Sequence, residues 1–387
     1  MKILIATGLF PPDIGGPAIH SALMAEELTG RGHQVKIVIY RDEGLLERDS
    51  HNRFTIYKVS KKGNLLFRYL RYFRQIYKLA DWADIIYAYD LTSVGLPCAI
   101  VRLFNHCAKL IIRLGGDIQW EKALQRGDYF NTLEQYYLDK KFSLGERIFY
   151  LLTNFVLARA DQIIFNAHIL RDIYIKQRKI DGNKTTVIKN IKPLIKNGYQ
   201  PRSQKDYVNI LFIGRLVAFK NLLNLIRAFA DLKSDWPKKV ILEIGGQGPE
   251  KEKLENYVRG KKLADKVKIL PKLSHQEVIE KIQQSDIIAN ISLTEINAHF
   301  AAEALTLNKP IILTKKSESY YFGDKNDLIY YINPLDLTEI TKTIELCLRT
   351  LFNGHHYQTK GAGDKIVWDI KKVVKAHLGV FNKLLER

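Results

Sequence analysis

Apolar runs of strand length alternate with stretches of helical period from the first residues onward. "KILIATGLF" is nearly continuous in apolar residues; the Pro/Gly loop "PPDIGGP" follows, then "AIHSALMAEELTGRG" with helical spacing, and after Gly32 the β-rich run "HQVKIVIY". Strand, loop, helix, strand is the unit that builds a parallel sheet, because a parallel crossover needs an intervening helix. The rhythm continues through "FTIYKV", a helical stretch around 65–80, "ADIIYAYD", a helix near 91–107, "KLIIRLGGD" and "ADQIIFNA" before "TTVIKN". Between about 190 and 207 it breaks into "NIKPLIKNGYQPRSQKDY", which is polar, basic and interrupted by two prolines, and reads as a linker. It restarts with "VNILFIGRLV", a helix at 221–232, "KVILEIGGQG", a helix at 250–261, "KVKILPKL", a helix near 275–284, "DIIANIS", a helix at 298–307 and "KPIILT". At the end of the chain Val367, Ile370, Val374, Leu378 and Phe381 share one face of a helix. The pattern predicts an α/β protein of two Rossmann-like, doubly wound parallel-sheet domains, 1–195 and 206–365, followed by a helix at 366–387. Two such domains facing across a cleft would put their chemistry in the loops after strands.

The chain has 387 residues, of which 46% are hydrophobic and 26% charged, a balance that excludes wholesale disorder. Its net charge of +19 asks for an anionic partner: nucleic acid, an acidic membrane surface or a phosphorylated substrate. Cys98, Cys107 and Cys347 have no paired spacing suited to zinc or a redox site, so a reducing, cytoplasmic setting is expected. Proline and Asp13 interrupt the first apolar run before a signal-peptide core would end, and no stretch reaches the roughly 18 apolar residues needed to span a bilayer. Membrane contact is therefore expected to be peripheral, on the inner face. Residues 58–78 hold seven basic residues and no acid. In a helix from Leu65, a stripe of Leu65, Tyr69, Phe73 and Ile76 is expected opposite Arg68, Arg71, Arg74 and Lys78, so that residues 65–78 suit an anionic membrane surface; the competing reading is a sheet-covering helix with a solvated basic face.

Four segments could carry chemistry. Gly15 and Gly16 precede a helix N-terminus, where backbone can approach an anion closely, although the loop is neither G-x-G-x-x-G nor Walker A. After the first strand of the second domain come Gly214, Arg215 and Lys220; a guanidinium fork and a mobile ammonium can clamp a diphosphate from two sides. Gly246 opens a second glycine loop after the next strand, whose backbone N–H groups can face the same cleft. In "SLTEINAHFAAEAL", Glu295 and Glu303 are separated by seven residues, and an acid as deep in an apolar helix as Glu303 needs a partner such as the paired hydroxyls of a ribose. His20, His168 and His299 are lone histidines, for which packing or capping is the simpler reading.

Taken in order, these residues resemble the retaining glycosyltransferases of family 4, which have the GT-B architecture, and the likeness covers nearly the whole chain. It is carried by Pro11, Pro12, Gly15, Gly16 and His20, by Gly32, His33 and Val35, by Gly214, Arg215, Leu216 and Lys220, and by Ser292 with the E-x7-E pair Glu295 and Glu303. The resemblance implies that Arg215 and Lys220 bind the diphosphate of a UDP- or GDP-sugar, that Glu303 takes the ribose hydroxyls, that Glu295 touches the donor sugar, and that Gly15 and Gly16 close over the phosphates. It also implies that the last helix returns to the first domain; if residues 65–78 dock on a membrane, the expected acceptor is lipid-linked or a glycan precursor made at the inner leaflet. Retaining transfer of this kind needs neither a metal nor a further cofactor, and the chain lacks the Asp-x-Asp common in metal-dependent transferases. Many members carry Gly-Phe-Gly after the first glutamate; here Ile296, Asn297 and Ala298 stand there, followed by His299, which leaves the donor sugar open. Where many members place a His, this chain offers Asp117, the expected acidic group near sugar and acceptor; helix capping is its alternative role. Two other readings remain: another GT-B enzyme, such as a sugar-nucleotide epimerase or phosphorylase, and an idle protein that binds polyanions or membranes. No zinc finger, RRM signature or helix-turn-helix context is visible, which argues against nucleic acid as the partner.

Overall fold

The computed structural model describes residues 1–13, 16–42, 48–51, 53–104, 107–191, 206–296, 299–318, 327–353 and 369–386. The chain divides into two compact units: Met1–Gln119, Lys140–Lys192 and Trp368–Arg387 form the first, and Trp120–Asp139 and Pro193–Val367 the second. The first sheet contains β1 (Lys2–Ala6), β2 (Gln34–Tyr40), β3 (Arg48–His51), β4 (Phe54–Val59), β5 (Ile85–Ala88), β6 (Lys109–Leu114), β7 (Gln162–Phe165) and β8 (Thr185–Val187). Its order is β3-β4-β2-β1-β5-β6-β7-β8, and only the edge pair β3–β4 is antiparallel. Between the strands run α1 (Gly16–Gly30), α2 (Leu65–Ala80), α3 (Gly95–Val101), α4 (Ile118–Arg126), α5 (Leu133–Asp139), α6 (Leu144–Arg159) and α7 (His168–Arg178). The stretch between β6 and β7, to which the sequence pattern assigned no element, holds three of these helices. Ser143 opens α6 with a capping box, its hydroxyl accepting from the Glu146 N–H while the Glu146 carboxylate accepts from the Ser143 N–H.

The second sheet, all parallel, has the order β11-β10-β9-β12-β13-β14. Its strands are β9 (Tyr207–Ile213), β10 (Lys239–Gly245), β11 (Val267–Leu270), β12 (Ile287–Asn290), β13 (Ile311–Thr314) and β14 (Ile329–Ile332), with α8 (Leu222–Ala230), α9 (Lys251–Gly260), α10 (His275–Gln284), α11 (His299–Thr306) and α12 (Leu337–Phe352). Strands buried on both faces explain the unbroken apolar runs of the sequence. Its core falls into two clusters: α8 and α12 pack on residues such as Ile210, Phe212 and Leu242 of one face, and α10 and α11 on Leu211, Ile288 and Leu313 of the other.

The last helix, α13 (Ile370–Leu385), belongs to the first unit. Its Val373, Val374, Phe381 and Leu384 join Met24, Ala25 and Leu28 of α1 over Ile37 and Ile39 of β2. Each such apolar side chain contributes on the order of 1.5 to 3 kcal/mol when buried. Of the face expected from the sequence, Val374 and Phe381 are buried and Ile370 and Leu378 partly so, Val367 lies outside the described residues, and His377 takes a fully buried place. On the other face of this sheet, where Val38 and Tyr40 point, Tyr72 of α2 stacks on Tyr40 with ring centroids 4.6 Å apart and its hydroxyl donates to the Val38 carbonyl. Helix α3 lies between α2 and α6 in this layer.

Helix α2 corrects the expected polarity. Ile76 faces the core with Tyr72, Leu79 and Ala80, while Leu65, Leu66, Phe67, Leu70 and Tyr77 are exposed. Arg68 stacks against Tyr40 and Arg71 donates to the carbonyls of Ser60 and Lys62, so of the four cations only Arg74 and Lys78 stand in the open. The apolar and basic residues thus share the outward side of the helix instead of opposing each other. The cause is the sheet: a helix lying on it buries the side chains whose reach fits the groove, and Tyr72 fills that place.

Candidate active site

In the second sheet the strand order reverses between β9 and β12, so the loops that leave these neighbouring strands diverge at a topological switch point, where open α/β sheets bind ligands. The loop after β9 carries Gly214, Arg215 and Lys220; the loop after β12 carries Ser292 and Glu295. Backbone and side chains lace them together. Leu293 N–H donates to the Phe219 carbonyl at 2.8 Å, and Asn221, held at φ 61° in the left-handed region that asparagine tolerates, donates from Nδ2 to the carbonyls of Ile291 and Pro334. Glu295 is pinned on both sides of its peptide: its N–H donates to the Lys316 carbonyl at 2.8 Å, and its carbonyl accepts from the Glu318 N–H at 3.1 Å.

Within this frame Lys220 Nζ lies 2.6 Å from Glu295 Oε2, a pair in which the carboxylate side chain is 2% exposed and the lysine 14%. Ser292 Oγ stands 2.7 Å from the same carboxylate oxygen and 2.8 Å from Asn290 Oδ1. A hydroxyl has one proton to give, and the ionised oxygen is the stronger acceptor. Arg215 is placed differently. It is 66% exposed, with Glu121 of α4 at 3.7 Å. The two cations of the expected clamp nonetheless share a neighbour: the Arg215 guanidinium and the Lys220 ammonium lie 5.6 and 5.2 Å from the centroid of the Phe219 ring, which in turn packs on Trp120 at 5.5 Å.

The glycine loops after β9 and β10 are in backbone contact. Gly214 N–H donates to the Gly245 carbonyl and Leu216 N–H to the Gln247 carbonyl. A Cβ on Gly246, whose φ is 141°, would come within 1.9 Å of the Gly214 carbonyl oxygen, and one on Gly248 within 2.2 Å of the Leu216 oxygen. These glycines are required by the approach of one loop to the other, a reason independent of any ligand. Glu303 is buried on α11, whose Ala301, Ala302, Ala304 and Leu305 fill the adjoining core. Gly15 and Ala298 lie outside the described residues, as does the side chain of His299.

The remaining expected residues belong to the first unit. Gly16 is the first residue of α1, with open space where a Cβ would stand. Asp117, 2% exposed, directly precedes α4 and accepts from the Tyr174 hydroxyl at 2.8 Å. Burial first, then the Asp117 charge, pushes the Tyr174 hydroxyl far above the usual phenol range, so it remains a donor. His20 faces inward from α1, its Nδ1 2.8 Å from the Tyr89 hydroxyl. Beside it, His377 of α13 donates from Nδ1 to the Val373 carbonyl and accepts at Nε2 from the Tyr87 hydroxyl at 2.8 Å. Arg113 approaches the same Nε2 at 3.4 Å and donates to Asn190 Oδ1 at 2.5 Å. Burial and the Arg113 charge hold His20 well below its ordinary pKa and His377 down to about 3, so both rings are neutral. Sequence reasoning passed over Phe219, Asn221, Arg113 and Tyr174; the only signal for Phe219 and Asn221 was that they flank Lys220.

A family model described as "Glycosyltransferase Family 4" matches residues 14–191, and one described as "Glycosyl transferases group 1" matches residues 197–322, so the two cover most of the chain. Alpha-monoglucosyldiacylglycerol synthase of Acholeplasma laidlawii is 25% identical over 81% of this chain and 80% of its own length. The gpi3 subunit of phosphatidylinositol N-acetylglucosaminyltransferase from Schizosaccharomyces pombe is 27% identical over 42% of this chain, a match that spans 36% of that protein. Among solved structures, sucrose-phosphate synthase from Thermosynechococcus elongatus superposes with a TM-score of 0.75 over 100% of this chain and 99% of its own at 16% identity. Anabaena HepE in complex with UDP gives 0.68 at 16% identity, covering 99% of this chain and 100% of that one. With the fold and both family models in agreement, the chain belongs to the family 4 glycosyltransferases, enzymes of the GT-B fold that transfer glycosyl groups.

Proposed function

We propose that this enzyme is a retaining, metal-independent glycosyltransferase that moves a sugar from a UDP- or GDP-sugar to a lipid-linked acceptor at an anionic membrane surface. The observation that carries the reading is the Lys220–Glu295 pair at the switch point of the second sheet, with Arg215 exposed on the same loop. As the glycosidic bond breaks, negative charge grows on the nucleoside diphosphate; Arg215 and Lys220 stabilise it, an interaction worth roughly 3 to 4 kcal/mol at comparable sites. Glu295, fixed through its backbone and by Ser292, meets the donor sugar, and Glu303 the ribose. Gly15, Gly16, Gly214, Gly246, Ala298 and His299 complete the donor site, and Asp117, oriented by Tyr174, is the acid toward sugar and acceptor. A lipid acceptor is supported by the names of the relatives, which specify diacylglycerol and phosphatidylinositol, and a uridine nucleotide by the UDP bound to the fold neighbour HepE. No helix among the described residues is long and apolar enough to cross a membrane, and the exposed leucines, Arg74 and Lys78 of α2 suit peripheral contact. A transfer screen with UDP-, GDP- and ADP-sugars, run with EDTA on dispersed lipid acceptors, tests the reading. It predicts label in the organic extract from one uridine or guanosine donor, with the anomeric configuration of the donor kept in the product; inversion, or a metal requirement, overturns the corresponding part.

A further inference from the structure

The layer of helices that covers the Val38 and Tyr40 face of the first sheet has a second apolar surface, on α6. Leu144, Ile148, Leu151 and Leu152 fall at helical spacing on one side and are exposed, Leu144 to 76% and Leu151 to 66%. The opposite side of α6, with Thr153, Val156 and Leu157, is buried, and Val156 reaches Gly95 of α3. These four side chains are therefore not a core face misassigned: the helix already has its core contact. Around them stand Lys140, Lys141, Arg147 and Arg159, all exposed. The one acid of α6, Glu146, is buried in the capping box. Along the same layer Leu103 and Phe104 are exposed after α3, with Phe104 against Phe73 of α2, whose own outward leucines and cations continue the composition.

We infer that α6 is a second lipid-contacting helix, which inserts Leu144, Ile148, Leu151 and Leu152 into the acyl boundary of an anionic bilayer while its cations meet the headgroups. The inference rests on the membrane part of the proposed function and extends it from one helix to a layer. Charge decides between a bilayer and a second copy of the chain: apposing two such faces would bring cations onto cations, whereas anionic headgroups complement them. Two helices anchored through one layer fix the orientation of the first sheet to the surface, which a single amphipathic helix would leave free to roll.

The test uses the full chain and vesicles of phosphatidylglycerol with phosphatidylcholine. In Leu151→Trp, indole emission should shift to the blue on adding these vesicles and be quenched by brominated acyl chains. The double variant Ile148→Glu/Leu151→Glu should keep its far-UV spectrum and lower the vesicle partition coefficient by at least about tenfold. Unchanged emission, equal flotation of parent and double variant, or a parent dimer that the double variant converts to monomer, overturns the inference. A thermal shift with UDP and GDP on the same samples keeps the two readings apart. If nucleotide still stabilises a protein that does not insert, only the membrane surface is lost; if insertion occurs without a nucleotide response, only the donor reading is lost.

Discussion

Each unit holds a cation in a largely buried polar cluster, and the two clusters solve the cost of doing so in different ways. In the second unit, Lys220 is matched by a carboxylate, Glu295, which is itself almost wholly removed from solvent. In the first unit, Arg113 is 4% exposed and, among the described residues, has neutral neighbours: Asn190 and the imidazole of His377. An ion pair in low dielectric is self-compensating until one member is taken away or diverted. A cation among neutral acceptors instead disfavours charge on its neighbours, and here burial first and the Arg113 charge second keep the two histidines unprotonated. The comparison teaches that the Lys220 pair can exchange partners, which is what the proposed function asks of it when a diphosphate arrives, whereas the Arg113 cluster links α13 to the sheet through Tyr87 and His377.

The sharpest way to break this contrast is Lys220→Met. It leaves the Glu295 carboxylate hydrogen-bonded by Ser292 but deprived of the Lys220 cation, and we expect a loss of about 3 to 5 kcal/mol in urea unfolding. Adding Glu295→Gln should return most of that loss, and simple additivity in the double-mutant cycle would refute the coupling. Arg215→Ala separates catalysis from folding, because the side chain is exposed: turnover should drop by about a hundredfold or more, equivalent to about 3 kcal/mol, with stability changed by less than ~0.5 kcal/mol. Near-normal turnover would remove Arg215 from the proposed leaving-group site. Acidification addresses the first unit. His377 has a native pKa near 3, below the 6.5 of an unfolded histidine, so the unfolded chain takes up the proton first as pH falls. The stability contribution is complete above about pH 6.5 and declines toward pH 3, by about 2 kcal/mol at pH 5. His20 acts in the same direction, and His377→Gln should flatten the profile recorded by chemical denaturation. The smallest effect belongs to Arg113→Met, which leaves only neutral acceptors short of a donor and should cost ~1 to 2 kcal/mol. It should also make stability slightly less sensitive to acid, since burial still suppresses His20 and His377 but the added Arg113 charge is gone; a stability loss as large as that of Lys220→Met would erase the distinction.

Much of the fold was legible because parallel strands buried on both faces leave unbroken apolar runs, and "KILIA", "QVKIVIY" and "YVNILFI" are all strands. The Lys220 and Glu295 segments were legible for a related reason: strand followed by glycine or polar loop marks the carboxyl edge of a sheet. Their direct contact was not, since it depends on β9 and β12 being neighbours although more than seventy residues separate Glu295 from Lys220. Helix α2 shows another limit. Periodicity placed Ile76 on the lipid-facing stripe, but a helix rich in both aromatic and basic residues has several amphipathic registers, and only the packing of Tyr72 against Tyr40 selects one. Helices α4 and α5 illustrate a third, because local pattern carries no record of the unit to which a segment packs, and Trp120 rests on Phe219.

The bond between Tyr87 and His377 joins residues 290 positions apart. The first unit therefore joins β1 to α13, between which the whole second sheet lies in sequence. On a ribosome, the face of the first sheet that α13 covers stays bare until α13 itself has been made, and the second sheet, whose strands all precede α13, has the head start in folding. A lesion within α13 would accordingly be felt at strands made about three hundred residues earlier, as an unfinished core around Ile37, Ile39 and Tyr87.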